Sequence, residues 1–77
     1  MNSARRGMLA KLAGNLEDLK SQVEDLLSEE QAYYDAMPEG LQAGSKGDSA
    51  SEAITALESA VSSLEEAIGS LEESQSV

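Results

Sequence analysis

Residues 52 to 72 are three copies of one seven-residue unit: Glu-Ala-Ile-Thr-Ala-Leu-Glu, Ser-Ala-Val-Ser-Ser-Leu-Glu and Glu-Ala-Ile-Gly-Ser-Leu-Glu. Few sequence features restrict a fold as strongly. Apolar residues separated alternately by three and four positions form one stripe along an α-helix, whereas a strand would need them at every second position. Ile54, Val61 and Ile68 occupy one core position of the repeat, and Leu57, Leu64 and Leu71 occupy the other. A β-branched residue alternating with leucine suits knobs-into-holes packing against another helix. Ala53, Ala60 and Ala67 flank this seam, and Glu58, Glu65 and Glu72 line its other edge. Ser49 and Glu52 are spaced as a capping box, which predicts that this helix starts near Ser49.

The first half carries a second seam. Leu9, Leu12, Leu16, Leu19, Val23 and Leu26 follow the same three-four spacing, and its continuation falls on Glu30, Tyr33 and Met37. Leu27 and Tyr34 lie one position beyond the seam and widen the apolar face there. The spacing predicts a helix over roughly residues 4 to 36, stopped by Pro38, which disfavours helical backbone at Met37. Met37-Pro38-Glu39-Gly40 has the residue order of a turn with proline at its second position, and Ala-Gly-Ser-Lys-Gly-Asp after it reads as loop, giving a connection over 37 to 48. Leu41 and Gln42, with Met37, are expected to fold back over the hairpin's end.

The expected fold is therefore all-α: a single domain over residues 1 to 77, built as a long antiparallel helical hairpin whose seams face each other. Charge supports the antiparallel direction. Residues 1 to 20 carry Arg5, Arg6, Lys11 and Lys20 against Glu17 and Asp18, while residues 47 to 77 carry seven acids and no base. Two helices alone leave their core residues half wet, so the hairpin is expected to self-associate into a helical bundle, most simply a dimer. Its core would be Leu9, Leu12, Leu16, Leu19, Val23, Leu26 and Leu27 from the first helix and Ile54, Leu57, Val61, Leu64, Ile68 and Leu71 from the second.

Composition excludes several chemistries. With neither histidine nor cysteine, the chain cannot build Ser-His-Asp or Cys-His catalysis, thiolate metal sites or ordinary zinc coordination. No catalytic residue, cofactor or metal site is expected. Fifteen acidic residues against five basic give a net charge of −10, which argues against direct contact with nucleic-acid phosphates. No apolar run is long enough to cross a membrane, and the N-terminal residues lack the continuous apolar segment of a secretory signal, so the expected location is cytoplasmic. The acid pairs Glu17/Asp18, Glu24/Asp25, Glu29/Glu30, Glu65/Glu66 and Glu72/Glu73 have two readings. They are either the solvated face of a heptad protein or a mimic of a nucleic-acid phosphate lattice that occupies a basic groove on a protein partner. The small residues Thr55, Ala56, Ser62, Ser63, Gly69 and Ser70 form either an ordinary polar face or a place for a further helix.

The candidate contacts for a partner or ligand are Glu30, Tyr33, Tyr34, Met37, Leu41 and Gln42. Glu30 falls on an apolar seam, where a carboxylate needs a partner or an escape to water, and Lys46 is the one base within reach of it in the loop. The adjacent tyrosines point about 100° apart on a helix, so one can be core while the other meets a partner.

The run Tyr33-Tyr34-Asp35-Ala36-Met37-Pro38-Glu39-Gly40-Leu41-Gln42, followed by Ser45 and the Ala-Ile-x-x-Leu-Glu repeats, resembles small acidic two-helix proteins of phages and prophages with a Tyr-Tyr-Asp-x-Met-Pro-Glu-x-Leu-Gln core. The likeness covers roughly residues 15 to 73. It transfers no residue-level activity. It implies a short accessory protein that acts stoichiometrically in the host cytoplasm, by blocking a host protein, such as one of antiviral defence, or by sequestering a molecule. The acidic charge makes a basic surface the expected feature of a protein partner. The other expectations are capture of a small nucleotide-like ligand by the oligomer and a purely structural coiled-coil role.

Overall fold

The computed structural model describes all residues, 1 to 77, and contains three helices and no strand. Helix α1 spans Ser3–Asp35, α2 is the short turn of helix Glu39–Gln42, and α3 spans Ser45–Gln75. The rod they form measures 58 × 15 × 12 Å. α1 and α3 run antiparallel along it. At the open end the N-terminal amine of Met1 donates to the main-chain oxygen of Val77 at 3.3 Å, and Arg6 donates to the same oxygen at 3.1 Å. Midway, Lys20 meets Glu65 at 3.3 Å, one of the contacts that the antiparallel charge pattern predicts.

α1 is started by Asn2, whose side-chain oxygen accepts a hydrogen bond from the Arg5 amide at 2.8 Å. It ends at Asp35, just before the Met37–Pro38 step. The connection differs from the sequence expectation in two ways. Pro38 opens a new helical turn rather than sitting second in a β-turn: its carbonyl accepts from the Leu41 and Gln42 amides at 2.9 and 3.0 Å. Proline has no amide to lose at a helix start, so its place there is the inexpensive one. Second, α3 begins at Ser45 with Gly44 as its cap, four residues before the expected capping box. Ser49 is thus inside the helix, and no side-chain bond caps it.

The early start follows from packing. Gly47 is buried, and a Cβ placed on it would overlap the backbone of Gln42. Only glycine lets the first turn of α3 lie directly on α2, and that contact extends the helix backwards from the repeats.

The core runs along the α1–α3 contact. Ala13, Ala50, Ile54 and Ile68 are its buried apolar residues. On α3 the burial pattern keeps the expected seam, with Leu57, Val61, Leu64 and Leu71 half-buried between the isoleucines. On α1 it does not. The covered stripe is Leu9, Ala13, Leu16, Lys20, Val23, Leu27, Glu30, Tyr34 and Met37, which is the expected seam rotated by one position at every second step. Leu12, Leu19 and Leu26 are therefore not packed against α3. The rotation puts the small Ala13 into the contact, where it is buried, turns Leu27 and Tyr34 inward with it, and carries the Lys20 amine to Glu65.

Candidate binding surface

The rotation of α1 decides what the molecule presents to its surroundings. Leu12, Leu19, Leu26 and Tyr33 stand seven residues apart and are 50, 50, 56 and 52% exposed. Helical geometry puts residues with this spacing on one line along α1. The line lies on the edge of the hairpin opposite the Lys20–Glu65 pair, because Tyr33 shares its surroundings with Lys46, on the other flank of α3. Ala53, Ala60 and Ala67 continue that flank from Lys46 at intervals of seven. One face of the rod thus joins a line of large apolar side chains on α1 to a line of alanines on α3.

At the loop end the candidate contact residues do gather. The Gln42 side-chain amide donates at 2.9 Å to the Tyr34 carbonyl at the end of α1, which also accepts from the Met37 amide at 3.1 Å. Tyr34, Met37 and Gln42 are half-buried, whereas Tyr33 and Leu41 stand out into solvent. The tyrosine pair therefore divides as the 100° step between neighbours requires. Two open grooves flank Tyr33. One, of about 260 Å³, is lined by Glu30, Tyr33, Ser45, Lys46, Ser49 and Ala50. The other, of about 310 Å³, is lined by Tyr33, Ala36, Met37, Pro38, Leu41 and Lys46. Glu30 is half-buried, and it forms no ion pair with Lys46, although both line the first groove. A third hollow of about 430 Å³ lies on the opposite edge, between Leu27, Gln31, Asp35 and Glu58.

Of the fifteen acidic side chains, only Glu65 sits in an ion pair. Its partner Lys20 has its pKa raised, first by the hydrogen bond to Glu65 and next, against the opposing effect of burial, by the negative charges of Glu65, Glu24 and Glu17. No charged side chain is buried, and no three acidic groups converge on a point that could hold a metal ion. Arg5 and Lys11, which were expected beside the carboxylates of the second helix, make no ion pair there, and Arg6 turns to Val77 instead. No helix is long and apolar enough to cross a membrane.

Leu12, Leu19 and Leu26 were expected in the bundle core, but sequence reasoning did not separate them from the residues that meet α3. The signal for that separation was available: α1 has apolar side chains at three positions of the heptad, in Leu26 and Leu27 and again in Tyr33 and Tyr34, which is one more than a single seam needs. No protein-family model matches the chain, and neither does any curated protein or solved structure.

Proposed function

We propose that this is a non-catalytic binding protein that acts stoichiometrically on a protein partner with a basic surface. The observation that carries the reading is the set of carboxylates on both long helices that have no cationic partner within the molecule, Glu65 excepted. Unpaired like charges along a rod repel one another and favour a basic counter-surface that relieves the repulsion. The likeness of Tyr33 to Gln42 to small phage proteins supports a host protein as that partner, and inhibition of host defence as the outcome. The test is binding to the candidate partner over a salt series. Affinity falling steeply between low and physiological salt supports the reading, and salt-indifferent binding overturns it.

A second reading has one observation in its favour. Tyr33 and Lys46 line both grooves at the loop end, offering an aromatic face and a cation to a small anionic ligand such as a nucleotide. A thermal shift with a nucleotide panel tests it, since a ligand that binds only the folded state must raise the melting temperature. A purely structural coiled-coil role is the remaining reading, and it predicts that charge-reversing surface substitutions leave all binding unchanged.

A further inference from the structure

We infer that the exposed line Leu12, Leu19, Leu26 and Tyr33 is covered by the same line of a second copy of this chain, in a two-fold dimer whose loop ends point in opposite directions. The inference stands on surface area, apolar patterning and charge, and it is independent of the carboxylate reading above.

Area comes first. The chain exposes 5298 Å², whereas a compact monomer of its 8.1 kDa exposes about 4,500 Å². The excess follows from the 58 × 15 × 12 Å shape, whose long face is of the order of the roughly 800 Å² that each partner contributes to a standard stable interface. The radius of gyration of 17.4 Å, against about 11.5 Å for a compact chain of this length, says the same of shape. Five of 77 residues are buried, and no large side chain is fully buried. A chain this size, with its apolar side chains half wet, has a core that a second copy would complete.

Patterning identifies the covering surface. The four residues recur at the heptad interval and lie beside the alanine line Ala53, Ala60 and Ala67, so a flat apolar strip runs along the rod. Of the next positions outward on α1, Asn15 and Gln22 carry no charge, and Glu29 is the one acid among them. A surface of this form is self-complementary. A two-fold axis crossing α1 near Gln22 and Val23 sets Leu19 against Leu26 of the second copy and Leu12 against Tyr33 of the second copy, so that all four residues are paired.

Charge selects the direction. Residues 1 to 20 hold four bases and two acids, while residues 21 to 42 hold six acids and no base. With loop ends opposed, Arg5 and Arg6 lie level with Glu39 of the second copy, and Lys11 lies level with Asp35 of the second copy. With loop ends together, the two acid-rich segments would crowd one end of the bundle. Like charges at that spacing repel, and opposed ends spread them.

The test uses the whole chain, which has no cysteine of its own. Sedimentation equilibrium of the purified protein should give twice the mass of 8.1 kDa. Gln22→Cys, beside the axis, should oxidise almost completely to a disulfide-linked dimer, while Ser59→Cys, on the far side of α3, should not. Leu19→Asp should lower the dimerisation affinity at least tenfold. A monomeric wild-type chain overturns the inference. A dimer in which Gln22→Cys fails to cross-link overturns the two-fold arrangement even if Leu19→Asp unfolds. Mass above a dimer in the wild type, undiminished by Leu19→Asp, would assign self-association to another face and equally overturn it.

Discussion

Two glycines of α3 make opposite demands on the same substitution. At Gly69 an added Cβ would meet nothing within 4 Å, so Gly69→Ala should stabilise the fold by about 0.5–1 kcal/mol through helix propensity alone. At Gly47 the added methyl group would overlap the Gln42 backbone, and Gly47→Ala should destabilise by about 1–3 kcal/mol despite the same gain in propensity. Thermal melts of the two variants beside wild type check the signs. Lys20 makes a pH-dependent case. Its pKa is raised in the folded chain, with the hydrogen bond to Glu65 as the first cause, so the stability it contributes is present below the ordinary lysine value of 10.5 and is lost as pH rises through the higher folded value. The difference in melting temperature between wild type and Lys20→Gln should therefore hold at neutral pH and shrink only in the alkaline range above 10.5. A difference that vanished near neutrality would contradict this account of the pair. Of these three roles, only the meeting of Lys20 with the acids of α3 was legible in the sequence, through the charge pattern. Gly47 read as a loop glycine because its reason to be helical, the backbone of Gln42, is brought to it by the turn of α2.

Among the elements, α3 was the easier to read. Its repeats alternate a β-branched residue with leucine at the core positions, so the burial of Ile54 and Ile68 followed from spacing alone. α1 was read correctly as a helix but with the wrong side against its partner. Leu9, Leu16 and Val23 belong to both stripes, and the choice between Leu12, Leu19 and Leu26 on one hand and Ala13, Lys20 and Leu27 on the other is made by the shape of α3, which spacing within α1 does not contain. The loop-end site was legible as a cluster, since the turn residues had to bring Tyr33, Met37, Leu41 and Gln42 together. Its internal division, with Tyr34 inward and Tyr33 outward, depended on that same rotation. The two stripes of α1 separate in experiment. Ile68→Ala on α3 removes a buried side chain and should cost about 2–5 kcal/mol at any protein concentration. Leu26→Ala should act mainly through association, lowering the melting temperature most in concentrated solution, where the wild-type chain is paired, and least on dilution. Equal effects of the two variants at every concentration would show that the leucine line has no function of its own.

The whole molecule is a thin acidic rod whose apolar strip lies along one face and whose carboxylates crowd the remainder. Net charge of −10 works against any assembly of such rods, and salt screens that repulsion. Raising ionic strength from low to physiological should therefore raise the melting temperature, whereas the same change should weaken binding to a basic partner. The opposite signs separate self-association from partner recognition in one set of solutions. In the proposed dimer the hairpin depends on a second copy of itself to complete its core. A melt that depends on concentration is the direct consequence of that dependence. The most direct measurement is the helical circular dichroism signal followed through thermal unfolding over a wide dilution series. A melting temperature that falls steadily on dilution is the predicted result, and one that stays constant down to the most dilute sample would contradict the account.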